Sequence, residues 1–442
     1  MRSIRMQHGL SGRLLRRTVD LVSGVAARIR TWQIFVLALA FRLPLVWLRP
    51  QDRLLTENLR AGFTLAKRGY FGDPFPIPTG PTAHLSPAYP ALVAAVRSIT
   101  PSDDVCIYVL SIIFAIVTSC NVAALIPISR ALKLPRGSGT IATLIWLIPW
   151  FAWIELTPEH ETPLTVAALL TLVTIVARIT ASARPTVAAG ARLGLAAGLA
   201  AYFTPMALPM ATFATFAGAR VRRWKMQSLL TVATGAVLLF AMAILPYTLR
   251  NYHTLGQWVF MRDNFGIELA MSNGPGARAT TEENSSAGGT LERLFNSRAA
   301  VASLRDLGEV EYYHRQQSAA VAWIKANPRA FLTLVAKRAG YLILPLSKRW
   351  YQSAVADAIS LMSIAGGVLL WRSRYRLGVR CLAASIVGYL LVFLLIEHDI
   401  RYMYPALYLE SLLAGSCAIA LLRIWRDPQL LVRANGVPSA TN

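Results

Sequence analysis

Apolar runs close to the length of a bilayer crossing recur along the chain, at residues 32–48, 105–128, 141–156, 163–179, 187–203, 206–219, 229–248, 354–371, 382–396 and 407–422. A helix needs ~20 apolar residues to cross the ~30 Å hydrocarbon layer. A water-soluble core has no room for so many such runs, so the sequence predicts an all-α polytopic membrane protein of about 10–12 transmembrane helices. Composition agrees, with 55% hydrophobic residues and a mean hydropathy of +0.46 over 442 residues, and leaves no length for a large soluble domain.

Charge then orients the chain. Lys and Arg number 45 against 22 Asp and Glu, a formal charge of +23. The excess gathers beside the apolar runs, which marks topology rather than nucleic-acid binding. Residues 1–30 carry seven arginines and one aspartate, with no small-residue cleavage site after the first apolar run. That run reads as a retained span behind a cytoplasmic basic arm. The clusters Arg130/Lys133/Arg136, Arg178/Arg184, Arg220/Arg222/Arg223/Lys225 and Arg372/Arg374/Arg376/Arg380 read as cytoplasmic. Glu159-His160-Glu161 and the motif EHDIRYMYP, residues 397–405, then lie outside. Residues 86–100 are apolar but short and read as either a tilted second span or a re-entrant segment; a full crossing there would invert everything after it, the charges favour re-entry, and both alternatives stay open. Arg42, inside the first span, should face the bundle. The four cysteines lie inside apolar runs and read as buried small hydrophobes.

The division expected is a basic arm (1–30), an N-terminal bundle (31–248) with a first external loop (50–86), an external segment (249–328), C-terminal spans (329–424) and a cytoplasmic tail (425–442). The segment 249–328 carries eight basic and eight acidic side chains, a balance that suits the external face of so basic a protein. Within it, Val310, Tyr313, Gln317, Ala320, Val321 and Ile324 recur at helical spacing, so residues 308–326 predict an amphipathic helix. Residues 277–289 are small, polar and without periodicity, and read as a mobile loop. Lys337-Arg338 interrupts an apolar run, which makes a lipid-facing span there costly; an interfacial or site-facing helix fits better.

The stretch 54–90 is too polar to cross lipid. It opens with the lone carboxylate Glu57 on a helix-compatible run, breaks at Gly69 and passes a Pro/Gly-rich turn region before GPTA and P-x-Y-P. With Ala61, Gly69 and Phe71, this spacing resembles the first external loop of the polytopic GT-C glycosyltransferases, such as the protein O-mannosyltransferases and the lipid A aminoarabinose transferase. The stretch RNYHTLGQWVFMRDNFGIELAMSNGPGA and the Arg401-Tyr402-x-x-Pro405 motif resemble further segments of bacterial members. Many relatives carry two adjacent acids in the first loop; this chain has Thr56-Glu57, so one carboxylate is carried over.

The resemblance implies transfer of a sugar, with inversion at the anomeric carbon, from a polyprenyl-phosphate donor to a glycan, lipid or protein acceptor at the external face of a bacterial inner membrane. Glu57 is the expected base. The departing phosphate needs cations or hydrogen-bond donors, and Arg250, Arg262, Lys337, Arg338, Arg401, Tyr402, His84 and His398 are the candidates. Glu161 and Asp73 are possible second acids, and a divalent metal is a possible cofactor. There is no phosphate-binding glycine loop, no dinucleotide fingerprint and no nucleotide-sugar Asp-x-Asp pair in the external loops, which favours a lipid-linked donor; Asp103-Asp104 is an adjacent acidic pair whose side depends on whether residues 86–100 cross. The rival readings are a lipid-linked sugar flippase or transporter, and a polymerase or ligase of surface glycans.

Overall fold

The computed structural model describes residues 30–48, 55–286, 294 and 297–426, which form a helical protein with no strand among them. In chain order the helices are α1 (Thr31–Leu48), α2 (Glu57–Arg68), α3 (Ala88–Ile99), α4 (Asp103–Ala131), α5 (Ser138–Leu147), α6 (Ala152–Leu156), α7 (Thr162–Ala181), α8 (Val187–Ala201) and α9 (Ala207–Arg222). They continue as α10 (Met226–Leu255), α11 (Phe265–Ser272), α12 (Thr281–Ser286), α13 (Arg298–Leu307), α14 (Glu309–Ala326), α15 (Pro328–Ile343), α16 (Trp350–Leu370), α17 (Arg376–Leu390) and α18 (Ile400–Arg426). Seven of them, α1, α4, α7, α10, α16, α17 (with the 3-10 turn that follows it) and α18, are long and apolar enough to cross a membrane.

The basic clusters meet at one end of the bundle. Arg222 Nε donates to the Thr180 carbonyl at 3.1 Å, and the Thr180 hydroxyl lies 3.9 Å from Cys381 Sγ. Gly378 packs against the Leu132 carbonyl, and Arg423 Nη1 donates to the Tyr375 hydroxyl at 2.9 Å. The connections after α6, α8, α10 and α17 gather at the opposite end, around a cavity. With α5, α8 and α9 completing the alternation, α1, α4, α5, α7, α8, α9, α10, α16, α17 and α18 make ten passages among the described residues.

The status of residues 86–100 follows. Trp47, in the last turn of α1, meets Tyr108 near the start of α4 with ring centroids 4.7 Å apart. The chain therefore leaves α1 and enters α4 at the same end. At 12 residues, α3 spans about 18 Å and folds back along α4, with Tyr89 against Phe114 and Arg97 bonded to Asp103. The short segment returns rather than crosses, as the charge pattern favours.

Small residues let the passages approach closely. A Cβ on Gly190 would lie 2.2 Å from the Val232 carbonyl oxygen, and one on Gly194 would lie 2.0 Å from that of Ala236, so the α8–α10 contact admits only glycine there. Arg42 faces inward as expected: it is fully buried, ion-paired to Glu155 at 2.9 Å and bonded to the Trp146 carbonyl. The helix expected at residues 308–326 is α14, which buries Val310, Tyr313 and Ala320. The stretch 277–289 departs from its reading as far as Ser286. Thr280 bridges to His398 and α12 follows, so polar residues without periodicity are held by tertiary hydrogen bonds. Residues 287–289, the basic arm to residue 29 and the tail beyond residue 426 lie outside the described residues.

Candidate active site

Glu57 owes its position to helix geometry. It is the first residue of α2, after Thr56 in extended conformation, where the helix dipole favours a carboxylate. The Thr56 hydroxyl donates to the Glu159 carbonyl at 3.0 Å, which ties this N-terminus to the α6–α7 connection. At the other end α2 stops at Gly69, whose φ of 77° is the left-handed cap conformation, with its N–H bonded to Leu65. The chain then closes a loop in which Asp73 Oδ1 accepts the N–H groups of Thr79 and Gly80 at 2.9 and 2.8 Å. Glu309 at the head of α14 takes the Ala83 N–H at 2.6 Å and the Thr82 hydroxyl, and so delivers the next residue, His84, to Glu57.

His84 is buried between two partners. Its Nε2 lies 3.3 Å from Glu57 Oε2, and its Nδ1 lies 2.8 Å from the Tyr313 hydroxyl. Arg262 Nε donates to the His84 carbonyl at 3.0 Å. Burial disfavours the charge on Glu57, but His84 and Arg262 outweigh it and hold its carboxyl below the usual range. Burial likewise opposes charge on His84, yet Glu57 and Glu309 raise its imidazole above the ordinary value. The pair is thus an ionised carboxylate against a readily protonated imidazole.

Glu57 and His84 open onto a cavity of about 570 Å³, a size suited to a small ligand. Its far wall comes from the α6–α7 connection and the start of α18. Arg401 is paired to Asp399 at 2.8 Å and donates to His160 Nε2. Burial and the Arg401 cation push the His160 imidazole down to about 3, so it is neutral and can accept. Asp399 resists burial because Arg401 holds its carboxyl at about 2. Tyr402 stacks on Phe393 with ring centroids 4.9 Å apart. Glu161 takes a hydrogen bond from Asn58 at 3.1 Å, and Glu268 takes one from Asn264 at 3.2 Å.

The sequence matches no known family profile and no curated protein. Two solved structures are similar. The archaeal oligosaccharyltransferase AglB of Archaeoglobus fulgidus, in complex with an inhibitory peptide and a dolichol-phosphate, superposes with a TM-score of 0.53 and 14% identity, over 93% of this chain and 52% of its own. A crystal structure of the Archaeoglobus fulgidus oligosaccharyltransferase with Zn and sulfate gives 0.52 and 12%, over 92% and 51%. The fold is GT-C. The chain spans about half the length of these two proteins, and at such identity the likeness concerns the fold.

Within this helical bundle the candidates divide. Glu57, His84, Glu161, Arg262, Arg401 and Tyr402 all line the cavity. Five others are placed elsewhere. Arg250 straps the first loop, donating to the Phe71 and Thr82 carbonyls at 2.8 and 2.7 Å. Asp73 is buried in that loop's own turn, with Arg68 at 3.1 Å. Lys337 is exposed, whereas Arg338 is buried and pins α15 to the Leu395 carbonyl at 3.0 Å and the Asn273 side chain at 3.1 Å. His398 bonds the Leu346 carbonyl and packs on Tyr341. Among the described residues no three His, Cys, Asp or Glu side chains converge as a metal site. Arg401 occupies both His160 and Asp399, so these groups do not fit a divalent ion as they stand.

Sequence reasoning missed His160, Asn58, Asn264 and Glu268 as cavity residues, and Tyr313 and Glu309 behind it. Glu268 carried a usable signal, an acid in the GIEL segment among apolar residues. The buried carboxyl of Glu268 is pushed upward by loss of water.

Proposed function

We propose that this chain is a membrane glycosyltransferase that moves a sugar from a polyprenyl-phosphate donor to an acceptor hydroxyl in this cavity, on the external face of the membrane. The observation that carries the reading is that Glu57, held by His84, and Arg262 line one cavity in this fold. The acceptor oxygen attacks the anomeric carbon and passes its proton to Glu57. The bond to the phosphate oxygen breaks, and its electron pair leaves with the polyprenyl phosphate. Attack opposite the leaving group inverts the anomeric centre.

Each group has a task in that step. Glu57 is ionised and within a hydrogen bond of His84, which holds it in place and stabilises its charge. Tyr313 on the far side of His84 fixes the ring. Arg262 spends only its Nε on the His84 carbonyl; among the described residues no protein group is bonded to its terminal nitrogens, which are available for a phosphate. Arg401 is already neutralised by Asp399, which makes it a weaker phosphate ligand and a better support for the α18 wall. Support for a lipid-linked donor comes from AglB, a structural relative seen with dolichol-phosphate, and support for a protein acceptor comes from the peptide in the same complex.

Incubation of the purified protein with synthetic polyprenyl-phosphate sugars tests the reading. Release of free polyprenyl phosphate, dependent on an acceptor, is the expected outcome. Arg262→Gln should raise the donor KM with a smaller effect on kcat. Absence of release with every donor in a set of pentoses, hexoses and amino sugars would overturn the proposal.

A further inference from the structure

A second cavity, of about 490 Å³, lies at the basic end of the bundle between α7 and α8, remote from Glu57. At its mouth, toward the basic end, it is lined by Arg178, Arg184 and Arg192, and farther along the two helices by Ile175, Leu195 and Leu199. We infer that this groove is a binding site for an anionic phospholipid, with the phosphate among the three arginines and an acyl chain along the leucines.

Three observations carry it. The first is charge without compensation: residues 163–255 contain no Asp or Glu, while they carry Arg178, Arg184, Arg192 and the cluster at residues 220–225. All three mouth arginines are exposed, and no side-chain carboxylate among the described residues is bonded to them. The other described connections at that end are themselves basic, so among the described residues these arginines have no counter-anion.

The second observation is shape. Leu199 lies twelve residues beyond the first residue of α8, about 18 Å along the helix from its basic end. Leu195 and Leu199 are 43% and 55% exposed, so the apolar wall faces out of the protein along the helix. Cations above an outward-facing apolar channel match a lipid, whereas a free phosphate would have no use for the lower half. The third is level: Trp224 Nε1 donates to the Ser182 carbonyl at 3.0 Å beside the mouth, and tryptophan favours the headgroup layer. Basic pockets between helices at the cytoplasmic side are where anionic headgroups bind.

The site is independent of sugar transfer, because it lies at the end of the bundle opposite the cavity. Native mass spectrometry of the full chain, exchanged into phosphatidylglycerol or phosphatidylcholine, tests it. Retained phosphatidylglycerol, undisplaced by inorganic phosphate in millimolar excess, is expected. Arg178→Gln/Arg184→Gln/Arg192→Gln should weaken retention roughly 10- to 100-fold. Leu199→Trp, which fills the channel without altering charge, should weaken it as well. The control Arg220→Gln/Arg223→Gln/Lys225→Gln changes the charge equally and should retain the lipid. Equal retention of phosphatidylcholine, displacement by phosphate, or equal loss in the control would each overturn the assignment.

Discussion

At the scale of single residues the account turns on how Glu57 keeps its charge. Its carboxyl lies below the usual range because His84 and Arg262 outweigh burial. The ionised form is therefore present above that lowered value and lost only as pH falls through it. Transfer should stay flat from neutrality down past about pH 5 and decline only in stronger acid. His84→Gln removes the largest favourable partner, so the acid limb of kcat/KM should move to higher pH while the protein remains folded. An unmoved limb would mean that His84 does not tune the base. The same pair bears on stability: Glu57 contributes above its ordinary carboxylate range, and His84, whose value is raised, contributes until pH rises through that raised value. The sequence made Glu57, Arg262 and Arg401 legible because each stands in a motif. It hid the link from His84 to Tyr313, since 229 residues separate them and neither lies in a pattern that points to the other.

At the scale of elements, the loop after α2 is a scaffold that aims His84, and Asp73 is its internal clasp. Asp73 has a φ of 52° and bonds two backbone N–H groups, Arg68 and the Tyr70 hydroxyl. Asp73→Asn should therefore cost about 1–3 kcal/mol of stability, read as a lowered unfolding temperature in detergent. Activity should fall with that loss of structure, and stabilising additives should restore part of it. A large activity loss at unchanged unfolding temperature would instead make Asp73 part of the chemistry. The sequence placed Arg338 away from lipid on cost grounds, correctly for a fully buried guanidinium. It could not show that the partners are backbone carbonyls, because a carbonyl leaves no signature in side-chain identity. The amphipathic α14 was legible from its period; the return of α3 depended on its neighbours in space.

At the scale of the whole molecule, ten passages put both ends of the described chain on the basic side and gather the cavity loops on the other. Charge asymmetry encoded this arrangement, since the clusters that meet at one end are those spaced along the sequence. A cysteine placed at Arg315, exposed on α14, should react with an impermeant reagent in intact cells, and one at Arg374 should react only after permeabilisation. The reverse pattern would invert the molecule. The all-α membrane fold was readable from the apolar runs, where overall identity to the two similar solved structures is only 12–14%. The cavity's contents were less so, because five separate connections supply them.

The central claim is that Glu57 takes the acceptor proton. Its most direct test is single-turnover transfer by purified wild-type and Glu57→Gln protein, with donor affinity measured in parallel. General-base catalysis contributes ~10²–10⁴-fold. A fall of that size with donor affinity preserved is the predicted result, and near-normal transfer by Glu57→Gln would contradict it.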